Sequence, residues 1–165
     1  MVVIDTLAIL APGLLGASVA RAAKARGAAR RVIIWARRPE VRLALADQPW
    51  CDEVVDSAES AAKAANLVVI ASPVTRIGEL VERIAPHLTA GTIVTDVGSV
   101  KADICRQASS SLSSTAATFI GSHPMAGSEK TGWENGDAEL FDGRTCFVTP
   151  TENDDDAAVE TVVRL

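Results

Sequence analysis

His87 and His123 are the chain's two histidines, and a histidine, with an ordinary pKa of about 6.5, can take up or release a proton near neutrality. His123 stands in Gly121-Ser122-His123-Pro124-Met125-Ala126-Gly127-Ser128-Glu129, after the apolar run Thr118–Gly121. Another run ends in Asp96-Val97-Gly98-Ser99-Val100-Lys101. A neutral imidazole can withdraw an alcohol proton as the carbon bearing that alcohol gives up a hydride. A serine hydroxyl both donates and accepts, so Ser99 can orient such an imidazole. Both residues also have plainer uses: His123 as a hydrogen-bonded residue before a tight proline turn, Ser99 as the N-cap of a helix over Lys101–Ser110. His87 follows Pro86 in a helix-to-strand connection and has no comparable surroundings.

Near the N-terminus, Ala11-Pro12-Gly13-Leu14-Leu15-Gly16 joins an apolar run to an Ala-rich helical pattern. This is the G-x-G-x-x-G fingerprint with Ala11 in place of the first glycine. The second glycine lets backbone approach a pyrophosphate, the third lets the helix lie close to the strand, and the helix start attracts phosphate. Pro12 biases Ala11 toward extended backbone. Gly13, Leu14, Leu15 and Gly16 are thus candidate dinucleotide contacts; the competing reading is a glycine turn without a ligand.

The next apolar run, Val32–Trp35, ends in Ala36-Arg37-Arg38, where an NAD site would place an acid on the ribose 2′-hydroxyl. Two guanidiniums instead suit a 2′-phosphate. Ala36, Arg37 and Arg38 therefore point to NADP; Glu40 follows closely and could act on the ribose instead, which leaves NAD possible, and a solvated basic corner is the alternative. Open α/β sheets bind ligands at the carboxyl ends of their strands. Ser72, Pro73 and Val74, which close the run Leu67–Ala71, complete the expected cofactor border together with Ser99.

These loops need a scaffold. The runs Thr6–Leu10, Val32–Trp35, Leu67–Ala71, Thr92–Val97, Thr118–Gly121 and Thr145–Thr149 are nearly continuously apolar, as in strands covered on both faces. Val54–Val55 adds a short one. Helical patterns lie between them at Leu14–Arg26, Pro39–Ala46, Glu59–Ala65, Arg76–Ala85 and Lys101–Ser110, with Gly27 at a stop and Pro39 in a first turn. The expected fold is α/β, a doubly wound, mostly parallel Rossmann-type sheet with helices on both faces. Ser109–Thr115 reads as a solvated helix end and Ser128–Glu139 as a long polar loop. Residues 1–150 are expected to form a dinucleotide-binding domain and residues 151–165 the start of a further helix, with Asp154–Asp156 as favourable charge at its N-terminus.

Composition narrows the function classes. Of 165 residues, 48% are hydrophobic and 22% charged, a globular balance. Aromatics make up 4% with no Tyr, leaving Ala, Val, Leu and Ile to fill the core. A net charge of -5 disfavours a nucleic-acid surface. No apolar run approaches the roughly 20 residues of a membrane span. Met1–Leu10 lacks a basic start and contains Asp5, which argues against a signal peptide. Cys51, Cys105 and Cys146 form no CxxC and are expected to be reduced and to bind no metal. The expected location is the cytoplasm.

In order and spacing, the runs G-L-L-G-A-S (Gly13–Ser18), D-V-G-S-V-K (Asp96–Lys101) and G-S-H-P-M-A-G-S-E-K-T-G (Gly121–Gly132) resemble the prephenate/arogenate dehydrogenase family of tyrosine biosynthesis. The resemblance covers essentially the whole chain, and only the nucleotide-binding half of the family's usual length. It implies oxidative decarboxylation of prephenate and/or arogenate with hydride transfer to NAD(P), giving 4-hydroxyphenylpyruvate or tyrosine. It implies His123 as the catalytic histidine, Ser99 as a serine near substrate hydroxyl and nicotinamide, and Glu129 as an acid gating the site's mouth. Lys101 is expected to be no more than a helix-start side chain.

The family's C-terminal helical domain, which dimerises, closes over the substrate and supplies an arginine for its carboxylates, has no counterpart in this sequence. The chain alone is therefore expected to bind nucleotide and to turn over poorly or not at all. Lys130 and Arg144 are the nearest local cations. An apolar face near Val159–Leu165 is expected to seek a partner, a second copy among the candidates. The expected partner otherwise is a small-molecule substrate, with neither nucleic acid nor membrane. Two further readings stay open. One is a non-catalytic NADP-binding sensor, which would not need His123. The other is a different Rossmann dehydrogenase acting on hydroxy acids or imines, which would not need the H-P-M-A-G-S-E run.

Overall fold

The structure is a computed structural model that describes residues 4–165. The first residues of the Met1–Leu10 stretch, read above against a signal peptide, lie outside the described residues. In chain order the elements are β1 (Ile4–Leu10), α1 (Leu14–Ala25), β2 (Ala29–Trp35), α2 (Pro39–Ala46), β3 (Glu53–Val54), α3 (Ala58–Ala64), β4 (Leu67–Ile70), α4 (Val74–Ile84), β5 (Ile93–Asp96), α5 (Ala102–Leu112), β6 (Thr118–Pro124), β7 (Cys146–Thr149) and α6 (Asp156–Arg164).

The strands form one sheet in the order β3-β2-β1-β4-β5-β6-β7. All pairs are parallel except β6 with β7. The chain leaves β1 for β2 on one side and returns to β4 on the other, so the order reverses beside β1, where open α/β sheets leave a crevice for ligand. The expected α/β, doubly wound class is the observed one. Two buried clusters lie on opposite faces of the sheet. One joins Ala8, Ile33, Val68 and Val94 to Ala61, Ile77, Val81 and Ile104 of α3, α4 and α5. The other joins Leu7, Ile9, Val32 and Val69 to Ala17, Ala20 and Ala23 of α1 and to Ala158 and Val162 of α6. Both faces of each central strand are covered, which is why these strands read as continuous apolar runs.

Three local readings change. β6 runs on to Pro124, because β7 pairs antiparallel along Gly121–Pro124, so His123 lies within a strand opposite Phe147. Ala11 is not extended: its φ is 61°, the left-handed region, despite Pro12. The stretch Ser128–Glu139 contains a 3-10 turn at Trp133–Asn135 and is anchored on α1. Asp137 N–H donates to Ser18 Oγ at 2.9 Å, and Trp133 lies 6.4 Å from Trp50, whose ring also carries the Arg21 guanidinium at 5.1 Å. Asp155 caps α6 by accepting from Ala158 N–H, as the acidic start predicts.

Candidate active site

The β1–α1 junction is shaped by two backbone contacts. Ala11 N–H donates to Trp35 C=O at 2.9 Å, and Gly13 N–H donates back to Ala11 C=O at 2.9 Å, which turns the chain sharply and holds Ala11 at positive φ. The two glycines then do different things. A Cβ on Gly16 would lie 2.7 Å from Ala71 Cβ and 3.1 Å from Ile9 Cγ2, so this glycine lets α1 sit down on β1 and β4. A Cβ on Gly13 would meet nothing within 4 Å and would project into open space. No side chain caps α1, whose first N–H groups remain available to an anion. This loop therefore fits a dinucleotide pyrophosphate.

On the other side of the order reversal, the ends of β5 and β6 are held by side chains. Asp96 is fully buried. Its carboxylate accepts from Gly98 N–H at 2.9 Å, from Ser122 N–H at 3.2 Å and from Lys101 Nζ. Lys101 Nζ also donates to Ser122 C=O at 2.7 Å, and Ser122 Oγ donates to Asp96 C=O at 2.6 Å. Lys101 is thus part of an internal ion pair and not a free helix-start side chain. Ser99, three residues past Asp96, is exposed and caps nothing: α5 begins after Lys101 without a side-chain cap.

These pieces meet in one cleft of about 480 Å³ at the carboxyl ends of the parallel strands. Gly13, Leu14, Leu15, Ser72, Pro73, Val74, Ser99 and His123 all line it, together with Ala11, Lys130 and Thr131. Among the described residues no hydrogen bond joins Ser99 to His123, although both line the cleft. A smaller opening beside it is lined by His123, Ser128 and Arg144. Burial pushes the Cys146 thiol, opposite Pro124 in the β6–β7 pair, above the ordinary thiol value, against a hydrogen bond from the His123 backbone that lowers it.

Other expected site residues lie outside the cleft wall. Gly16 is spent on packing. Ala36 is buried at the end of β2, and Arg37 and Arg38 are exposed beyond it. Arg38 Nε lies 3.8 Å from Glu40, so that carboxylate already faces a guanidinium. Arg42, which the sequence reading passed over, donates to the carbonyls of Ala36 and Arg37 at 2.9 and 3.2 Å and fixes the turn that presents the two arginines. Its position one helical turn after Arg38 was the available signal. Glu129 is exposed between two wall residues, Ser128 and Lys130, and does not itself line either opening. His87 is exposed after α4, apart from the cleft-lining residues. No group of three His, Cys, Asp or Glu gathers among the described residues, and no described helix is long and apolar enough to cross a membrane.

Comparison with known proteins gives a consistent outcome. Residues 19–165 match the family model described as prephenate dehydrogenase, nucleotide-binding domain. The chain is 33% identical over 150 residues to a cyclohexadienyl dehydrogenase of Zymomonas mobilis, covering 91% of this chain and 50% of that protein. Prephenate dehydrogenase from Aquifex aeolicus, solved with hydroxyphenyl propionate and NAD+, superposes with a TM-score of 0.87 at 28% identity, over 97% of this chain and 55% of that one. Arogenate dehydrogenase of Synechocystis gives 0.86 at 29% identity, over 96% and 54%. The chain thus spans about half the length of these relatives.

Proposed function

The chain belongs to the prephenate dehydrogenase family, whose nucleotide-binding domain it matches, and from that premise we propose that it serves oxidative decarboxylation of prephenate or arogenate with hydride transfer to NAD(P). The observation that carries the reading is the meeting of His123 and Ser99 with the Gly13 loop in a single cleft. The NAD+ in the Aquifex aeolicus structure supports the cofactor class. A bound nicotinamide would accept the hydride released from the carbinol carbon of the substrate ring.

The chain's own residues do the rest. The Gly13 backbone and the start of α1 bind the pyrophosphate, and Ser72, Pro73 and Val74 border the cofactor. His123 takes the hydroxyl proton as that carbon becomes a carbonyl, so that no charged alkoxide has to build up. Loss of CO2 leaves its bonding electrons in the ring, which becomes aromatic as the carbonyl oxygen takes the proton back from His123 and becomes the phenol hydroxyl. Ser99, in the same cleft, offers a hydroxyl to the substrate oxygen. Lys130 and Arg144 are the cations in the two openings beside His123 and meet the substrate's carboxylates. Glu129 acts at the rim, between Ser128 and Lys130. The dinucleotide-binding strands and loops lie within residues 1–150, and α6 follows them, packed on the same sheet through Ala158 and Val162.

Arg37 and Arg38 favour NADP: both are exposed, and Arg42 holds their turn. The test is calorimetric titration with NADP and NAD, followed by substrate-dependent nucleotide reduction with prephenate and arogenate. NADP is expected to bind at least several-fold more tightly, and Arg37→Ser to reduce its affinity by about tenfold while leaving NAD unchanged, as loss of a charge-assisted contact predicts. Preference for NAD would move the ribose contact to Glu40. Binding of neither nucleotide would refute the reading.

A further inference from the structure

We propose that Asp96 and Lys101 are positioning residues: their buried ion pair sets the separation between the loop that carries Ser99 and the strand end that carries His123. The inference rests on the reading above, in which those two residues act on one substrate.

The register of β5 with β6 shows where such a device is needed. The parallel ladder pairs Ile93 with Thr118, Val94 with Phe119 and Thr95 with Ile120, and ends there. Beyond it, nothing in the ladder fixes how far Asp96 stands from Ser122. The side chains take over at that point. Asp96 Oδ1 accepts from Ser122 N–H, Oδ2 accepts from Gly98 N–H, and Lys101 Nζ reaches both Asp96 and Ser122 C=O. Thr95 Oγ1 adds a bond to Ser122 Oγ at 3.2 Å. Gly98 lies next to Ser99, and Ser122 lies next to His123. Each catalytic candidate is therefore one residue from a backbone group bound to this pair.

The surroundings are cut to fit it. A Cβ on Gly98 would lie 3.0 Å from Asp96 Oδ2, and one on Gly121 would lie 3.6 Å from Lys101 Cδ and 2.8 Å from Cys105 Sγ. The lysine stem passes Gly121 at ordinary contact distance; the tight neighbours of that glycine are Thr149 Oγ1 and Cys105 Sγ. The Asp96 side chain is wholly buried and that of Lys101 is 16% exposed. Burying such a pair carries a desolvation cost that a well-packed apolar pair would avoid, so net stability is a weak reason for keeping it. Fixed geometry is the better reason, because a misplacement of about 1 Å at a reacting group can cost about 100-fold in rate.

The experiment compares the unsubstituted chain with Lys101→Met, which keeps the stem and removes the charge, and with Lys101→Arg and Asp96→Asn. Amide exchange, nucleotide affinity and kcat with KM are read on each. In Lys101→Met, exchange is expected to speed up several-fold at Gly98 and Ser122 and to stay unchanged along β1 and α1. Nucleotide affinity is expected to stay within a few-fold, and kcat to fall by about 100-fold with little change in KM. Lys101→Arg should restore part of kcat. Should Lys101→Met fail to fold, Asp96→Asn decides, since it keeps the acceptor oxygen and loses the charge. Exchange that rises throughout the chain, or does not change at Gly98 and Ser122, overturns the proposal. So does an unchanged kcat in a turning-over chain. An unsubstituted chain that binds neither nucleotide refutes the functional reading instead, and the exchange pattern still decides on the ion pair.

Discussion

The β1–α1 and β5–α5 junctions are built alike and finished differently. Both leave a parallel strand at its carboxyl end, turn through a glycine and enter a helix that has no side-chain cap. At the first, the space over Gly13 is empty and the helix N–H groups face it. At the second, Gly98 is buried against Ile77 and Ile104, and Asp96 and Lys101 fill the turn from within. On the proposed function, the contrast separates two jobs within one βα plan. A junction that must accept phosphate keeps its polar backbone groups unmet. A junction that must hold a reacting side chain in place satisfies its own groups internally.

The largest effect that would break this division is on His123, at the filled side. His123→Asn is expected to lower kcat by about 1,000-fold, the usual contribution of a general base, with NADP affinity unchanged. A comparable loss of nucleotide affinity in that variant would mean that the two sides are not separate.

The paired glycines give the next test. Gly13→Val should leave the melting temperature close to that of the unsubstituted chain, since a Cβ there meets nothing, while nucleotide affinity drops by at least several-fold. Gly98→Ala should do the reverse. Its Cβ would lie 2.8 Å from Ile77 Cδ1 and 2.9 Å from Ile104 Cδ1. Overpacking of that kind costs about 1–3 kcal/mol, and each kcal/mol is worth roughly 2–4 °C at this chain length. Thermal melts and calorimetry on the two variants check the crossing pattern; parallel losses in both would sink it.

How far each junction was legible in the sequence follows from the range of its interactions. The first junction, apart from the backbone of Ala11, was readable because its determinants are local: two glycines, a strand before and a helix after. The sheet was readable for a similar reason, since continuous apolar runs such as Leu67–Ile70 announce burial on both faces. The second junction was only half readable. Asp96, Ser99 and Lys101 stood in view, yet the partner of Asp96 and Lys101 is Ser122, which comes from a strand 26 residues past Asp96. Nothing local tells a lysine at a helix start that it will turn inward. Likewise β7 extends β6 through His123 by a pairing across a loop, which no period within β6 reveals. The arginines at the end of β2 were visible, whereas the support from Arg42 depends on where α2 lies.

Ala11 is the smallest and sharpest test, because local rules gave the wrong conformation there. The residue before a proline is biased to extended backbone, yet two hydrogen bonds, to Trp35 C=O and from Gly13 N–H, hold Ala11 at φ 61°. For an alanine this region costs roughly 1–2 kcal/mol. Glycine would remove that cost and add about 0.4–1 kcal/mol of unfolded-state entropy, so Ala11→Gly should stabilise the chain by at most about 1.6 kcal/mol. Ala11→Val should destabilise it, since a β-branched side chain tolerates this backbone least. Nucleotide affinity discriminates further. If the methyl group of Ala11 is only a passenger in the turn, Ala11→Gly binds NADP as the unsubstituted chain does. If affinity falls, the methyl, which lines the cleft, is part of the surface that receives the ligand. The open junction would then be shaped by a side chain as well as by the lack of one.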